Sequence, residues 1–253
     1  MLYIEGATGI SGDMTVGALL SLGSSQERLK AVLDSLKLGD EFSYVISEKA
    51  SYGIAGTDFD VILPHRHHHH EHGHHHHHHH EHRNLADVEA VIDRGEMSDR
   101  ARALAKRAFR FVAEAEAKAH GKPLGEVHFH EVGAIDSIVD IVSAAVLFDD
   151  LGETECVVTG LTEGSGTVMC AHGELPVPVP AVLNIAAATG VPLRVSDTKG
   201  ECVTPTGIAL AAAFRTQEAL PAAYRVKGVG IGLGKRDYGR PAILRIMKIE
   251  AAE

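Results

Sequence analysis

The sequence predicts an α/β protein, a mixed sheet with flanking helices, interrupted by a disordered histidine-rich loop. Short apolar or alternating runs recur between segments whose apolar residues follow helical spacing. Capping residues and glycine-rich turns separate the two kinds of segment. The chain has 253 residues, 45% of them hydrophobic, which is enough for a sizeable core. A formal net charge of −10 leaves no basic footprint for general nucleic-acid binding. No apolar run reaches the roughly 18 residues of a membrane span, and Met1-Leu2-Tyr3-Ile4-Glu5 lacks the basic start of a signal peptide. Cys156, Cys170 and Cys202 are too scattered for a disulfide framework, so a reducing cytoplasm is expected.

Leu2 to Ile4 reads as a short buried strand running into Gly6-Ala7-Thr8-Gly9-Ile10-Ser11-Gly12-Asp13. Ser11 or Asp13 can cap the next helix, where Met14, Ala18 and Leu22 form one apolar line. A glycine-rich turn at a helix start suits phosphate or carboxylate groups, although this one fits neither Walker A nor the dinucleotide fingerprint; a purely structural turn is the other reading. Ser25 to Leu36 reads as a helix closed by Gly39, and Phe42–Ser47 and Thr57–Leu63 as strands joined around Gly53 and Gly56. From His65 to His82, fourteen of eighteen residues are histidine, too polar to bury a core, so a mobile loop is expected. Its imidazoles, among them His67, His68, His69, His70, His72, His74, His75 and His76, suit nickel, zinc and copper; an insert of no selected role is the bland alternative.

Asn84 and Ser98 can cap helices reaching Val91 and about Lys118, with Arg100, Arg102, Lys106, Arg107 and Arg110 on the solvated side of the second. Next comes His128-Phe129-His130-Glu131-Val132-Gly133-Ala134-Ile135-Asp136 and a helix from Ser137 to Leu151 that is apolar almost all round except Asp140. Histidine and carboxylate are ligands for borderline metals and are acid/base groups. A buried carboxylate needs a partner, and Asp136 lies one turn from Asp140 on the same face. The bland reading is a cap at Asp136 or Ser137 with a structurally satisfied Asp140.

Glu155–Thr159 and Gly166–Cys170 read as strands, followed by an extended, proline-stiffened piece from His172 to Pro180 and a helix from Ala181 to Ala188. Thr204 and Thr206 can cap a helix over Ile208–Phe214 and form a second candidate anion cradle. Gly228, Gly230, Gly232 and Gly234 stand at every second position before Lys235, Arg236 and Asp237; such spacing admits a ligand or another backbone to one strand face. Ala242–Ile249 reads as the final strand.

Five motifs, in this order, resemble the N-terminal region of the nickel-insertion protein LarC family: Ile10–Met14, His130–Asp140, His172–Pro178, Thr204–Gly207 and Gly230–Gly234. The histidine-rich insertion is a further shared trait. The resemblance implies a nickel chelatase (a cyclometallase of the lyase class) that inserts nickel into a pyridinium-bisthiocarboxylate mononucleotide, the precursor of the nickel-pincer cofactor of lactate racemase. It further implies CTP with manganese or magnesium, and a C-terminal domain tied to CTP binding and oligomerisation that this sequence does not contain. Residues 1–253 are therefore expected to be a single main domain, interrupted at 65–83, that handles nickel and binds substrate. A separate C-terminal partner chain, lactate racemase and a second copy of the chain are the expected protein partners. On this reading His130, Glu131, Asp136 and Asp13 are catalytic candidates, and Ser11, Gly12, His172, Thr204 and Thr206 bind substrate or nucleotide. His128, His130, Glu131, Asp136 and Asp140 hold metal, with Asp140 in a supporting role. A nickel storage protein or metallochaperone, in which the histidine loop is itself the function, is the rival from another class.

Overall fold

The computed structural model describes residues 1–64, 83–126, 135–170 and 172–252. β1 (Leu2–Gly6) is apolar throughout its middle because it lies mid-sheet: it pairs in parallel with β4 (Cys156–Ser165) and antiparallel with β9 (Ile243–Ala251). β2 (Ser43–Ser51) and β3 (Ile54–Ile62) form a hairpin. β8 (Tyr224–Leu233) pairs antiparallel with β9 and touches β3 in parallel. With β7 (Leu193–Lys199) at the far edge, the seven-stranded mixed sheet has the order β2-β3-β8-β9-β1-β4-β7. A separate two-stranded ribbon pairs β5 (Thr167–Cys170) with β6 (Gly173–Pro176).

The helices are α1 (Gly12–Ser21), α2 (Gln26–Ser35), α3 (Leu85–Arg94), α4 (Asp99–His120), α5 (Ile135–Asp150), α6 (Pro180–Thr189) and α7 (Pro205–Phe214). Their starts obey the expected chemistry: Ser25, Ser98 and Thr204 each accept a backbone N–H as N-caps, and Asn84 closes a capping box with Asp87. α5 is apolar on nearly every side because α1, α2, α4 and α7 surround it. Phe148 of α5 stacks on Phe214 of α7 with ring centroids 4.1 Å apart.

The alternating glycines of β8 admit a backbone, and that backbone is α1. A Cβ on Gly232 would stand 2.6 Å from Ala18 N, and one on Gly230 would stand 2.8 Å from Leu22 N. On the other side of the helix contact, a Cβ on Gly17 would meet the Gly232 Cα at 3.2 Å and the Thr57 carbonyl more closely still. Helix and strand therefore touch backbone to backbone.

Several elements differ from the sequence reading. β7 was not anticipated, because an edge strand with Val195 63% exposed carries no clean apolar alternation. Gly56 lies inside β3, and the turn falls at Tyr52 and Gly53. Leu36 caps α2; Lys37, with φ 55°, makes the turn assigned to Gly39. On α4, Arg100 donates to the Glu153 carbonyl, and Arg102 to the carbonyls of Ile92 (2.6 Å) and Gly95 (2.8 Å), so these two arginines staple loops rather than line a free face.

Gly232→Ala is expected to cost about 3 kcal/mol, by pushing α1 off the sheet, and to lower the melting temperature by roughly 10 °C. Gly228→Ala meets only the mobile tip of Leu22 at 3.2 Å and should cost less than about 1 kcal/mol. Thermal melts of the two variants check this, and equal losses would contradict the backbone contact.

Candidate functional site

The loop after β1 and the segment before α7 are sewn together. The Ile10 N–H donates to the Cys202 carbonyl (2.9 Å), and the Thr204 N–H donates to the Ile10 carbonyl (3.0 Å). Gly207 permits this closeness, since a Cβ there would lie 2.9 Å from the Ser11 Cα. The starts of α1 and α7 thus adjoin, and the two anion cradles read separately in the sequence border one cavity of about 200 Å³. Ser11, Asp13, Cys202, Thr204, Lys235 and Tyr238 are among its walls. A neighbouring cleft of about 420 Å³ shares Gly234, Lys235 and Arg236 and reaches Lys49, Asp58 and Asp60. Both sit where β1, β7 and β8, running the same way, end at their carboxyl ends, the usual place for a ligand in an open α/β sheet.

Carboxylates already occupy the start of α1. Asp13 Oδ1 accepts from the Ser11 hydroxyl and from its neighbour Met14 N–H (2.9 Å), so Ser11 serves Asp13 and makes no side-chain cap to the helix. Asp140 lies directly on Gly12, where a Cβ would stand 2.7 Å from the Asp140 Cβ and 2.9 Å from its Cγ. Its Oδ1 is buried and has no hydrogen-bond partner among the described residues. Burial first, then the nearby charges of Asp13 and Asp136, push the Asp140 carboxyl well above the usual range, against the pull of Lys235 and the Asp13 backbone N–H. Burial likewise raises Asp13, opposed by Ser11, Lys235 and the Met14 N–H. Asp136 is exposed, and its Oδ1 accepts from the Ser137 N–H (2.8 Å). The partner that Asp140 requires is therefore the start of α1; Asp136 acts on it as a like charge.

Lys235 is the counter-charge. Its ammonium bonds Asp60 and lies 3.9 Å from Asp13 Oδ2. Burial opposes its charge, but the bond to Asp60 and the charges of Asp13, Asp60 and Asp58 outweigh this and raise its pKa. Lys49 pairs with Asp58 at 2.7 Å, and Arg236 with Glu201 at 3.5 Å.

Glu163, wholly buried, escaped the sequence reading. Its Oε1 accepts from the N–H groups of Gly164 (2.7 Å), Cys202 (2.6 Å) and Val203 (2.9 Å), fixing the segment that carries Cys202 and Thr204; its Oε2 has no hydrogen-bond partner among the described residues. Burial raises its pKa, opposed by those three N–H groups and by Arg236. Nothing in the local sequence marks it, because its function depends on a loop that lies far along the chain.

Of the candidates, Ser11, Gly12, Asp13, Asp140 and Thr204 converge, with Asp136 at the rim of their field. Thr204 is used as the α7 cap, accepting from Gly207 N–H at 3.1 Å, and Thr206 is buried. His172 borders neither cavity; it lies against His120, ring centroids 4.9 Å apart. His128, His130, Glu131 and the loop histidines His67, His68, His69, His70, His72, His74, His75 and His76 lie outside the described residues. Among the described residues no three His, Cys, Asp or Glu side chains are grouped to hold a metal, and no helix is long and apolar enough to cross a membrane.

Residues 2–253 match a family described as "Nickel insertion protein". A protein of Alkaliphilus metalliredigens named pyridinium-3,5-bisthiocarboxylic acid mononucleotide nickel insertion protein is 51% identical, over 98% of this chain and 60% of its own length. Proteins of the same name from Acetivibrio thermocellus (41% identical, 100% of this chain, 61% of their length) and Clostridium kluyveri (40%, 97% and 61%) also match. The chain spans about 60% of the length of these curated relatives. No solved structure matches significantly.

The raised Asp140 pKa sets a sign for stability. A carboxyl that binds its proton more tightly when folded gives full stability below its unfolded pKa, near 3.9, and loses stability as pH rises towards its folded pKa. Asp140→Asn should therefore stabilise the protein at neutral pH, by on the order of 1 kcal/mol or about 3 °C, and flatten the fall that begins above pH about 4. Melting curves across that range check it; a variant less stable at pH 7 with an unchanged slope would contradict it.

Proposed function

We propose that this chain, which belongs to the nickel insertion protein family, takes part in inserting nickel into the pyridinium-bisthiocarboxylate mononucleotide named in its relatives. In this proposal residues 1–253 form one main cytoplasmic domain that handles the metal and binds the precursor, nickel being cargo. CTP with manganese or magnesium, a C-terminal partner region, self-association and delivery to lactate racemase belong to the whole assembly of which this chain spans a part.

The observation that carries the reading is a pair of carboxyls with raised pKa values at the start of α1: Asp13 in the wall of the cavity, and Asp140 behind it against Gly12. Forming a carbon–nickel bond at the pyridinium ring displaces a ring proton, and that step needs a base near neutral pH. A carboxyl whose pKa is raised by burial meets this need far better than an ordinary one. Arrival of a dication favours carboxylate over carboxylic acid, so metal binding itself converts the pair into base. Asp136 adds a third negative charge. The phosphate of the mononucleotide would be repelled by the acidic start of α1, and is better served by Lys235, Arg236 and the Thr204 side of the cavity. His128, His130 and Glu131 are proposed as ligands that hold nickel before transfer.

The test is mass-spectrometric detection of nickel in the precursor, with this chain and the remaining region of the full-length relatives supplied together. Asp13→Asn, shown folded by its melting curve, should slow insertion by about 100-fold or more, and His130→Ala should do the same at limiting nickel. Insertion at the unaltered rate by both variants would overturn the site assignment. Deleting residues 65–82 separates the enzyme from a nickel store: insertion at saturating nickel should persist. A protein that then binds almost no metal and never turns over would instead be a store.

A further inference from the structure

The cavity at the starts of α1 and α7 measures about 200 Å³, below the roughly 300 to 1,000 Å³ usual for small-molecule sites. A single ring suits a space of that size; a mononucleotide needs more. Across Gly234, Lys235 and Arg236 the space continues into the cleft of about 420 Å³. The β2–β3 turn, which borders that cleft, has two residues between its strands, Tyr52 (φ 50°) and Gly53 (φ 82°), both with left-handed backbone. Asparagine followed by glycine is the favoured pair in such a turn, and a bulky aromatic residue at its first position is strained. Tyr52 is 58% exposed, and its hydroxyl crosses to the loop after β8, donating to Asp237 Oδ1 at 2.6 Å. The Gly239 N–H donates to the same oxygen at 2.8 Å. Asp237 Oδ2 accepts no hydrogen bond among the described residues. The two donors, the tyrosine first, hold the Asp237 carboxyl below its usual range. The other cleft carboxylates are engaged by amines, Asp58 by Lys49 and Asp60 by Lys235. Asp237 is thus an ionised acceptor, fixed through one oxygen and open at the other.

We propose that this cleft takes the ribosyl-phosphate arm of a pyridinium mononucleotide, with Asp237 accepting a ribose hydroxyl and Tyr52 holding Asp237 in place. Taking the ring to be that of the nickel-accepting precursor rests on the nickel-insertion reading above; the ribose-accepting carboxylate does not. A carboxylate is a common reader of ribose hydroxyls, and a hydroxyl bonds an ionised acceptor more strongly than a neutral one. With the ring at Asp13 and the ribose at Asp237, the phosphate comes to the shared wall, where Lys235 and Arg236 carry positive charge. The two spaces then divide the work. The carboxyls at the start of α1 meet the ring that reacts, and the cleft selects a ring that carries a ribosyl phosphate. Asp237 is a specificity-determining residue on this account, and Tyr52 a positioning residue. Asparagine at position 52 would relax the turn but lose the hydroxyl.

Chemical-shift titration of the full chain with ribose 5-phosphate, beside inorganic phosphate, tests the cleft without nickel. Ribose 5-phosphate should bind at least tenfold more tightly than inorganic phosphate, and Asp237→Ala should abolish that preference, since a lost hydrogen bond to a charged group is worth about tenfold or more. Tyr52→Asn should weaken ribose 5-phosphate binding several-fold and yet raise the melting temperature, because asparagine prefers the left-handed turn. A merely structural tyrosine would not give that opposite pair of effects. Equal affinity for the two probes, or a preference that survives Asp237→Ala, would overturn the proposal. Insertion into the precursor is measured separately, with the remaining region of the relatives supplied. There Asp237→Ala should raise KM for the precursor at least tenfold, by more than it lowers kcat. Insertion with an unaltered KM sinks this inference alone. Ribose binding through Asp237 without any insertion by the unaltered chain sinks the functional reading and leaves the cleft site standing.

Discussion

The backbone contact between α1 and β8 is the constraint on which the rest of the site depends. Gly230 and Gly232 bring α1 onto the strand, and Gly17 lets the same helix pass β3. With side chains removed from that interface, the helix has little room to slide or roll, because a closely packed interior resists displacement. Its first turn is thereby held against α5, where Gly12 meets Asp140, and against the end of β8, where Lys235 faces Asp13. The glycines thus do their chemical work at a distance. They aim the start of a helix.

The electrostatics of that helix start follow from what it meets. An exposed N-terminus attracts anions through its free N–H groups and dipole. Here the protein supplies the anions itself, and supplies more than the helix start can neutralise: Asp13 and Asp140 in contact with it, Asp136 and Asp58 within its field. Lys235 balances part of this charge and bonds Asp60. A partly buried acidic cluster of this kind binds protons more tightly than exposed carboxylates do and favours cations. The start of α7 differs, since its cap is the neutral Thr204 and its flank carries Arg236 paired with Glu201. One cavity is thus bordered by an acidic helix start and by a neutral one.

Much of the fold was legible along the chain because its signals are local. The caps at Ser25, Asn84, Ser98 and Thr204 and the apolar periodicity of α4 and α5 need only neighbouring residues. β7 lacked such a signal because an edge strand alternates weakly. The site was legible in pieces: Asp13, Asp140 and Thr204 could each be suspected from its own surroundings. Their meeting could not, since it depends on hydrogen bonds between Ile10 and the segment at Cys202 and Thr204. Glu163 was invisible for the same reason. The glycine spacing of β8 was read as room for a ligand or a backbone, and only the fold shows that α1 takes the room.

The central claim is that burial at the start of α1 makes a carboxyl there bind its proton more tightly than an ordinary aspartate does. A titration of aspartate side-chain carboxyls by carbon-13 NMR on the full chain measures this most directly. One carboxyl should titrate well above the ordinary aspartate range, its signal should vanish in Asp140→Asn, and nickel should drive it to the ionised form at lower pH. If every carboxyl titrates in the ordinary range near pH 4, burial at the start of α1 raises no carboxyl and the account is wrong.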